Sequence, residues 1–135
     1  MEIFRNQTRA TVLSDRTRIA DTFLSRMVGL LATPRLEAGE GMWISPCNSI
    51  HTAFMRFTID ALFLDRDGKV LRAVERLRPW RVTRIVWGAA GVLELPEGRI
   101  SATQTARGDV LVREVLVTNP ATDAGEPAHA ATRRA

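Results

Sequence analysis

Short alternating runs of apolar and polar residues, punctuated by turn formers, dominate this chain. From Arg9 to Asp21 the alternation is rich in Thr, Val and Ile and predicts two short strands around a turn at Ser14-Asp15. Asp21 and Thr22 are N-cap types. After them Phe23, Leu24, Met27, Val28, Leu30 and Leu31 recur at helical spacing, which predicts a short amphipathic helix stopped by Pro34. Leu36 to Gly41 holds two glycines and reads as a loop. Four strands are then expected, at Met42 to Ser45, Ser49 to Arg56, Ile59 to Asp65 and Lys69 to Leu77. The connection Asp65-Arg66-Asp67-Gly68-Lys69 carries a hairpin signal, because Asp suits turn positions and Gly supplies positive φ between apolar runs.

After Asp60 the stretch Ala61-Leu62-Phe63-Leu64 is apolar on both faces, as in a strand covered on both sides. Arg78-Pro79-Trp80-Arg81 interrupts the strands. A further strand is expected from Gly91 to Leu95, ended by Pro96, then one or two helical turns between Gly98 and Ala106 with Gly108 as the stop. The last strand runs from Val110 to Val117. Beyond Asn119-Pro120 no apolar periodicity remains. The organisation expected is a single β-rich domain over residues 1–118 and a disordered tail over residues 119–135. Short strands that outnumber helices predict a mainly β fold, a jelly-roll-like sandwich or partly closed barrel with one or two short helices.

Composition narrows the class of protein. Hydrophobic content of 45% and charged content of 25% are those of a globular domain. The N-terminus has no apolar h-region, and no apolar run approaches the length that spans a bilayer, so the expectation is a cytoplasmic protein without a membrane span. The net charge of +4 comes from 19 basic and 15 acidic residues, and the bases are arginines except Lys69. These charges are interleaved along the chain, so nucleic acid is not the expected partner.

Three groups of residues carry candidate chemistry. Cys47, His51 and Asp60 supply a nucleophile, a base and a carboxylate, the parts of a thiol- or acid/base-dependent enzyme. Residues two apart on one strand have Cβ atoms about 7 Å apart, so a direct Cys–His hydrogen bond requires a bend. Pro46 puts Cys47 in a loop where such a bend can occur. For Asp60 the structural reading is favoured, an ion pair with nearby Arg56 or a turn cap holding the strand entry. Met42, Trp43, His51, Phe54, Arg56 and Asp60 together form a candidate binding site for a small ligand or protein. The run Arg72, Arg76, Arg78, Trp80, Arg81, Arg84 and Trp87 interleaves bases with aromatics, and reads as a solvated strand face or as an RNA- or anion-binding segment. No metal or cofactor is expected: Cys47 and His51 give two ligands where zinc needs three or four, and Asp65-x-Asp67-Gly68 lacks the rest of a calcium loop.

The motifs Gly41-Met42-Trp43, Ser49-Ile50-His51-Thr52-x-Phe54-Met55-Arg56-Phe57-x-Ile59-Asp60 and Leu62-Phe63-Leu64-Asp65-x-Asp67-Gly68-x-Val70 are followed by Pro79-Trp80-Arg81, Val92-Leu93-Glu94-Leu95-Pro96-x-Gly98 and Gly108-Asp109. In this order the chain resembles, from about Ala10 to Val117, the family known as domain of unknown function 192 or uncharacterised protein family 0127. The resemblance implies an all-β, jelly-roll-like domain with small helical additions, and it implies no activity or site residues. Thr58 stands where similar sequences often have proline. The readings that follow are a non-enzymatic binding or accessory domain using the 41–60 segment, a thiol- or acid/base-dependent enzyme, and RNA or anion binding by the 72–87 segment.

Overall fold

The computed structural model describes residues 1–20, 35–117 and 129–134. The described elements are β1 (Glu2–Asn6), β2 (Thr11–Ala20), β3 (Glu40–Ile44), β4 (Ile59–Leu64), β5 (Val70–Leu77), β6 (Gly91–Pro96), α1 (Arg99–Thr103), β7 (Leu111–Val117) and β8 (His129–Arg134). They form one sheet in the order β5-β4-β6-β3-β2-β1-β7-β8. Neighbours are antiparallel except β2 and β3, which run parallel from Arg16 opposite Glu40 to Ala20 opposite Ile44. The sheet curls until the start of β5, at one edge, meets the start of β7, the neighbour of the other edge strand. Lys69 at the start of β5 bridges Val110 at the start of β7. Val70 N–H donates to the Asp109 carbonyl, Gly108 N–H to the Val70 carbonyl and Leu111 N–H to the Gly68 carbonyl, each at 2.8 Å. Of the two architectures expected for a mainly β chain, the partly closed barrel is the one formed.

Side-chain alternation sorts the apolar residues onto the two faces. Phe4, Leu13, Trp43, Leu62, Leu64, Leu93, Leu95 and Leu111 pack together inside the curl, and Ile100 of α1 joins them. Met42, Ile44, Ile59, Ala61, Phe63 and Val92 form a second cluster on the outer face, with Leu36, Ile50 and Met55 packed over it. β4 contributes to both clusters and all six of its residues are buried, as its unbroken apolar run predicts. The expected hairpin also forms. Gly68 has φ 85, and Asp65 Oδ1 accepts hydrogen bonds from Asp67 N–H at 2.9 Å and Lys69 N–H at 3.0 Å.

Several expectations are corrected. Residues 11–20 are one strand rather than two. The Ser14-Asp15 turn signal marks an irregularity instead, where the register moves from Glu2 opposite Thr17 to Phe4 opposite Ser14. The amides of Asp15 and Arg16 leave the ladder there and donate to the Gly39 carbonyl. β1 is an additional strand. Ser49 to Arg56 is not a strand, and only His51 pairs, in an isolated bridge to Val82. The helical turn after Gly98 ends at Gln104 rather than at Gly108. After Asn119-Pro120, β8 pairs with β7 from Val112 opposite Arg134 to Val117 opposite His129. The helix predicted from Phe23 to Leu31 lies outside the described residues. Among the described residues no helix is long and apolar enough to cross a membrane.

Gly91 opens β6 where the Trp43 indole lies against the backbone. A Cβ there would overlap the indole ring and approach the Ile44 carbonyl oxygen at 2.8 Å. The ring is packed against Phe4, with centroids 5.5 Å apart, and cannot withdraw freely. Gly91→Ala is therefore expected to cost about 1–3 kcal/mol, the usual scale of overpacking. A fall in the urea midpoint at unchanged m-value checks it; an unchanged midpoint contradicts the packing described.

Candidate functional site

The candidate residues are not brought together. Met42 and Trp43 are adjacent on β3 and so point to opposite faces, Met42 into the outer cluster and Trp43 into the inner one. Phe54 and Arg56 are exposed on the loop before β4, as is His51. Asp60 is fully buried on the inner face, where Oδ1 accepts from Arg76 N–H at 3.0 Å and Oδ2 from Ile100 N–H at 2.9 Å. Both donors are groups that regular structure leaves unpaired. Arg76 sits at a bulge with φ 52, between the Ile59–Leu77 and Ala61–Val74 pairs. Ile100 is in the first turn of α1, whose N-cap Gly98 has no side chain to offer. Asp60 thus caps a helix and pins a bulge from a third element, and its bonds go to backbone amides rather than to Arg56.

The arrangement therefore separates Asp60 from His51. The Cys47 thiol donates to the Ser49 carbonyl at 3.0 Å and packs, half-buried, against the outer cluster. Among the described residues no three His, Cys, Asp or Glu side chains gather in a way that could hold a metal ion.

What the fold does assemble is a layer of two loops over the outer cluster. Thr52, fully buried, is its hub. Thr52 N–H donates to the Arg81 carbonyl at 2.8 Å, and Trp80 N–H donates to the Thr52 carbonyl at 3.0 Å. The Thr52 hydroxyl donates to the Arg78 carbonyl at 2.5 Å and accepts from Arg81 N–H at 2.9 Å. Further along, Thr83 N–H reaches the Ile50 carbonyl and Val86 N–H the Asn48 carbonyl. The 41–60 and 72–87 segments, separate in the sequence, so become parts of one surface. Large apolar side chains stand out from it: Phe54 is 71% exposed, Val82 75% and Trp87 83%.

Beside this layer an open groove of about 740 Å³ runs between β5, the 84–87 loop and the α1–β7 connection. Its apolar lining includes Ala73, Val86 and Ile100, and Trp87 and Ile85 line it as well. Arg72, Arg84 and Arg107 also line it, and among the described residues none of them has a hydrogen bond or ion pair. This contrasts with Arg5, Arg9, Arg16, Arg35 and Arg113, each held by a carboxylate within 3.4 Å. Arg84 belongs to the basic run visible in the sequence. Arg107 does not, and only the fold brings it to the groove.

Glu94 is a second group missed in the sequence. It stands in the middle of β6, between Met42 on β3 and Ala61 on β4, and among the described residues its Oε2 has no hydrogen-bond partner. Burial raises its carboxyl from 4.5 to about 7. A glutamate inside the apolar run Val92-Leu93-Glu94-Leu95 is the signal that could have singled it out. Asp109 is the opposite case. Burial pushes its carboxyl up, but hydrogen bonds from Asn6, Arg9 and the Ala106 amide outweigh that, and the net direction is down.

Comparison with known proteins agrees with this fold. The family model DUF192, described as "Uncharacterized ACR", matches residues 4–112. A UPF0127 protein of Thermococcus sibiricus is 36% identical over 115 residues, which cover 82% of this chain and 73% of the relative. A UPF0127 protein of Pyrococcus horikoshii is 32% identical over 110 residues, covering 77% of this chain and 92% of the relative. A crystal structure of a protein of unknown function from Novosphingobium aromaticivorans superposes with a TM-score of 0.70 at 19% identity, over 82% of this chain and 81% of the other.

Two outcomes follow from the buried carboxylates. Asp60→Ala strands the buried Ile100 amide and the part-buried Arg76 amide, and is expected to lower the unfolding free energy by roughly 1–4 kcal/mol; an unchanged unfolding free energy would contradict the double role given to Asp60. For Glu94 the folded protein holds a proton that the unfolded chain releases, so stability falls as pH rises from 4.5 to about 7 and levels off above. Glu94→Gln removes that dependence and is expected to stabilise the protein above pH 7 by up to about 3 kcal/mol, with little effect at pH 4. Thermal midpoints of the two proteins across this range check the sign, and parallel profiles would contradict it.

Proposed function

The chain belongs to the uncharacterised DUF192 family, and we propose that it is a non-enzymatic binding module for an organic anion with a flat apolar body. The observation that carries this reading is the set of three guanidiniums, Arg72, Arg84 and Arg107, unpaired among the described residues, around a groove that also offers an exposed indole and an apolar floor. Guanidinium forks suit carboxylate, sulfonate or phosphate oxygens, and the Trp87 face suits a planar group. The groove volume of about 740 Å³ falls in the range of small-molecule sites, roughly 300–1,000 Å³. Glu75, the one acid lining it, biases the site toward ligands that also carry a donor.

Binding is favoured over catalysis because the Asp60 carboxylate is buried on backbone amides and the Cys47 thiol donates to a backbone carbonyl, so neither is joined to the His51 imidazole. The anion reading is favoured over a site made by the six residues of the 41–60 segment for the same reason. A single cysteine suits a reducing compartment, so the reading places the domain in the cytoplasm.

The test uses 8-anilinonaphthalene-1-sulfonate, a planar aromatic anion that can accept energy from tryptophan. Saturable one-to-one binding to the native protein is expected. Two charge-assisted contacts are lost in Arg84→Ala/Arg107→Ala, which should weaken it roughly tenfold or more. Trp87→Ala should reduce both affinity and energy transfer. Non-saturating binding, or an affinity unchanged in the arginine double variant, rules the groove out.

A further inference from the structure

Among the described residues, Phe54 and Trp80 are two bulky aromatic side chains that occupy left-handed backbone, with φ 65 and 63. That conformation is strained for any residue with a Cβ, and a large ring gains nothing from it locally. Both side chains are nevertheless turned outward, 71% and 61% exposed, with ring centroids 4.6 Å apart. The Thr52 hub explains how they are held. Its carbonyl accepts both Met55 N–H at 3.1 Å and Trp80 N–H at 3.0 Å, so one buried residue fastens the turn carrying Phe54 to the turn carrying Trp80. Val82, 75% exposed, follows two residues after Trp80 on the same loop and is held there by its backbone bridge to His51. An exposed apolar cluster fixed by a buried polar anchor is a feature that folding alone does not require.

The charges around it have one sign. No acidic residue occurs from Gly41 to Ile59 or from Arg76 to Leu93, while Arg56, Arg78 and Arg81 are exposed in these stretches. From this combination we infer that the Phe54–Trp80–Val82 surface docks the protein onto an anionic lipid bilayer. The rings and Val82 enter the boundary between headgroups and acyl chains, where aromatic side chains are favoured. Arg56, Arg78 and Arg81 meet lipid phosphates, with their aliphatic stems along the apolar surface. A second copy of the chain does not fit the same face, because a two-fold contact would set these arginines against one another. A single-stranded nucleic acid would leave Val82, which has no face for a base to stack on, without a role. This inference is separate from the groove, whose Arg72, Arg84 and Arg107 it does not use.

The strained backbone supplies a clean variant. In Phe54→Gly/Trp80→Gly both rings are lost, and glycine relieves the left-handed φ, so the fold is retained. Sedimentation with vesicles of phosphatidylcholine and phosphatidylglycerol in equal parts is compared with pure phosphatidylcholine vesicles. The native protein is expected to partition onto the anionic vesicles, with a blue shift of tryptophan emission, and not onto the neutral ones. The glycine variant should lose roughly tenfold or more of that partitioning. It should keep its thermal midpoint and its anilinonaphthalenesulfonate binding, so that failure here is distinguishable from failure of the groove reading. Arg78→Ala/Arg81→Ala should weaken partitioning and flatten its dependence on salt. Val82→Ser is the second apolar variant, expected to act in the same direction as the glycine pair. Absence of binding at low salt by the folded native protein overturns the inference. So does binding that survives loss of the rings and Val82. A single-stranded oligonucleotide bound more tightly than the vesicles, and lost in the same variants, reassigns the surface and also overturns it.

Discussion

Water reaches neither face of β4. Its residues from Ile59 to Leu64 are buried in both directions, and this requires the protein to build a cover as well as a barrel. The curl of the sheet buries Leu62 and Leu64, while Ala61 and Phe63 depend on chain brought from elsewhere. That chain is the pair of loops on either side of the β4–β5 hairpin. Neither loop has regular structure, so their buried amides must find partners one by one, which Thr52, Thr83 and the carbonyls of Asn48 and Ile50 provide. The exposed aromatics and arginines are carried on the outer side of this cover. Their position is thus a consequence of how the core is closed.

Buried polar groups do most of the remaining positioning. Asp60 joins β4, the β5 bulge and α1. Asn6 donates to Thr105 and Asp109, which ties the end of β1 to the turn before β7. Both sites place an acceptor where the backbone would otherwise leave a donor unpaired, and their geometry is fully satisfied. Glu94 has no such compensation at Oε2 among the described residues. Burial alone sets the direction of its carboxyl pKa, which is up.

Much of this fold was legible because its signals were local. The Asp65–Gly68 hairpin needs only turn chemistry, and the doubly covered β4 only its unbroken apolar run. The strands that followed, β5, β6 and β7, and the helical turn of α1 came from the same evidence. β1 was not legible. Its inward residues are Glu2, Phe4 and Asn6, so its alternation puts polar side chains into the interior. Those side chains are satisfied by Arg113, Thr105 and Asp109, about a hundred residues away, and no window of sequence contains both partners. Ser49 to Arg56 failed for the opposite reason. Its alternation looks extended, but the anchoring of Thr52 to Arg78 and Arg81 folds it into a turn. At the candidate site the residue types were visible while their grouping was not. Asp60 and His51 are close in sequence and lie on different sides of the sheet. Arg84 and Arg107 are far apart in sequence and share a groove.

The placement of β1 bears on how such a molecule can be made. It precedes β2 to β8 in the sequence, yet it lies between β2 and β7, and its pairing with β7 joins Glu2 to Val115 and Asn6 to Leu111. The ion pairs of Arg5 with Glu114 and Glu2 with Arg113 stitch the same seam. On the ribosome, β1 and β2 can form a hairpin early, but the outer edge of β1 stays open until residues beyond Val117 have emerged. The β1 seam is therefore closed only when β7 arrives, and until then a nascent chain carries an unpaired strand edge.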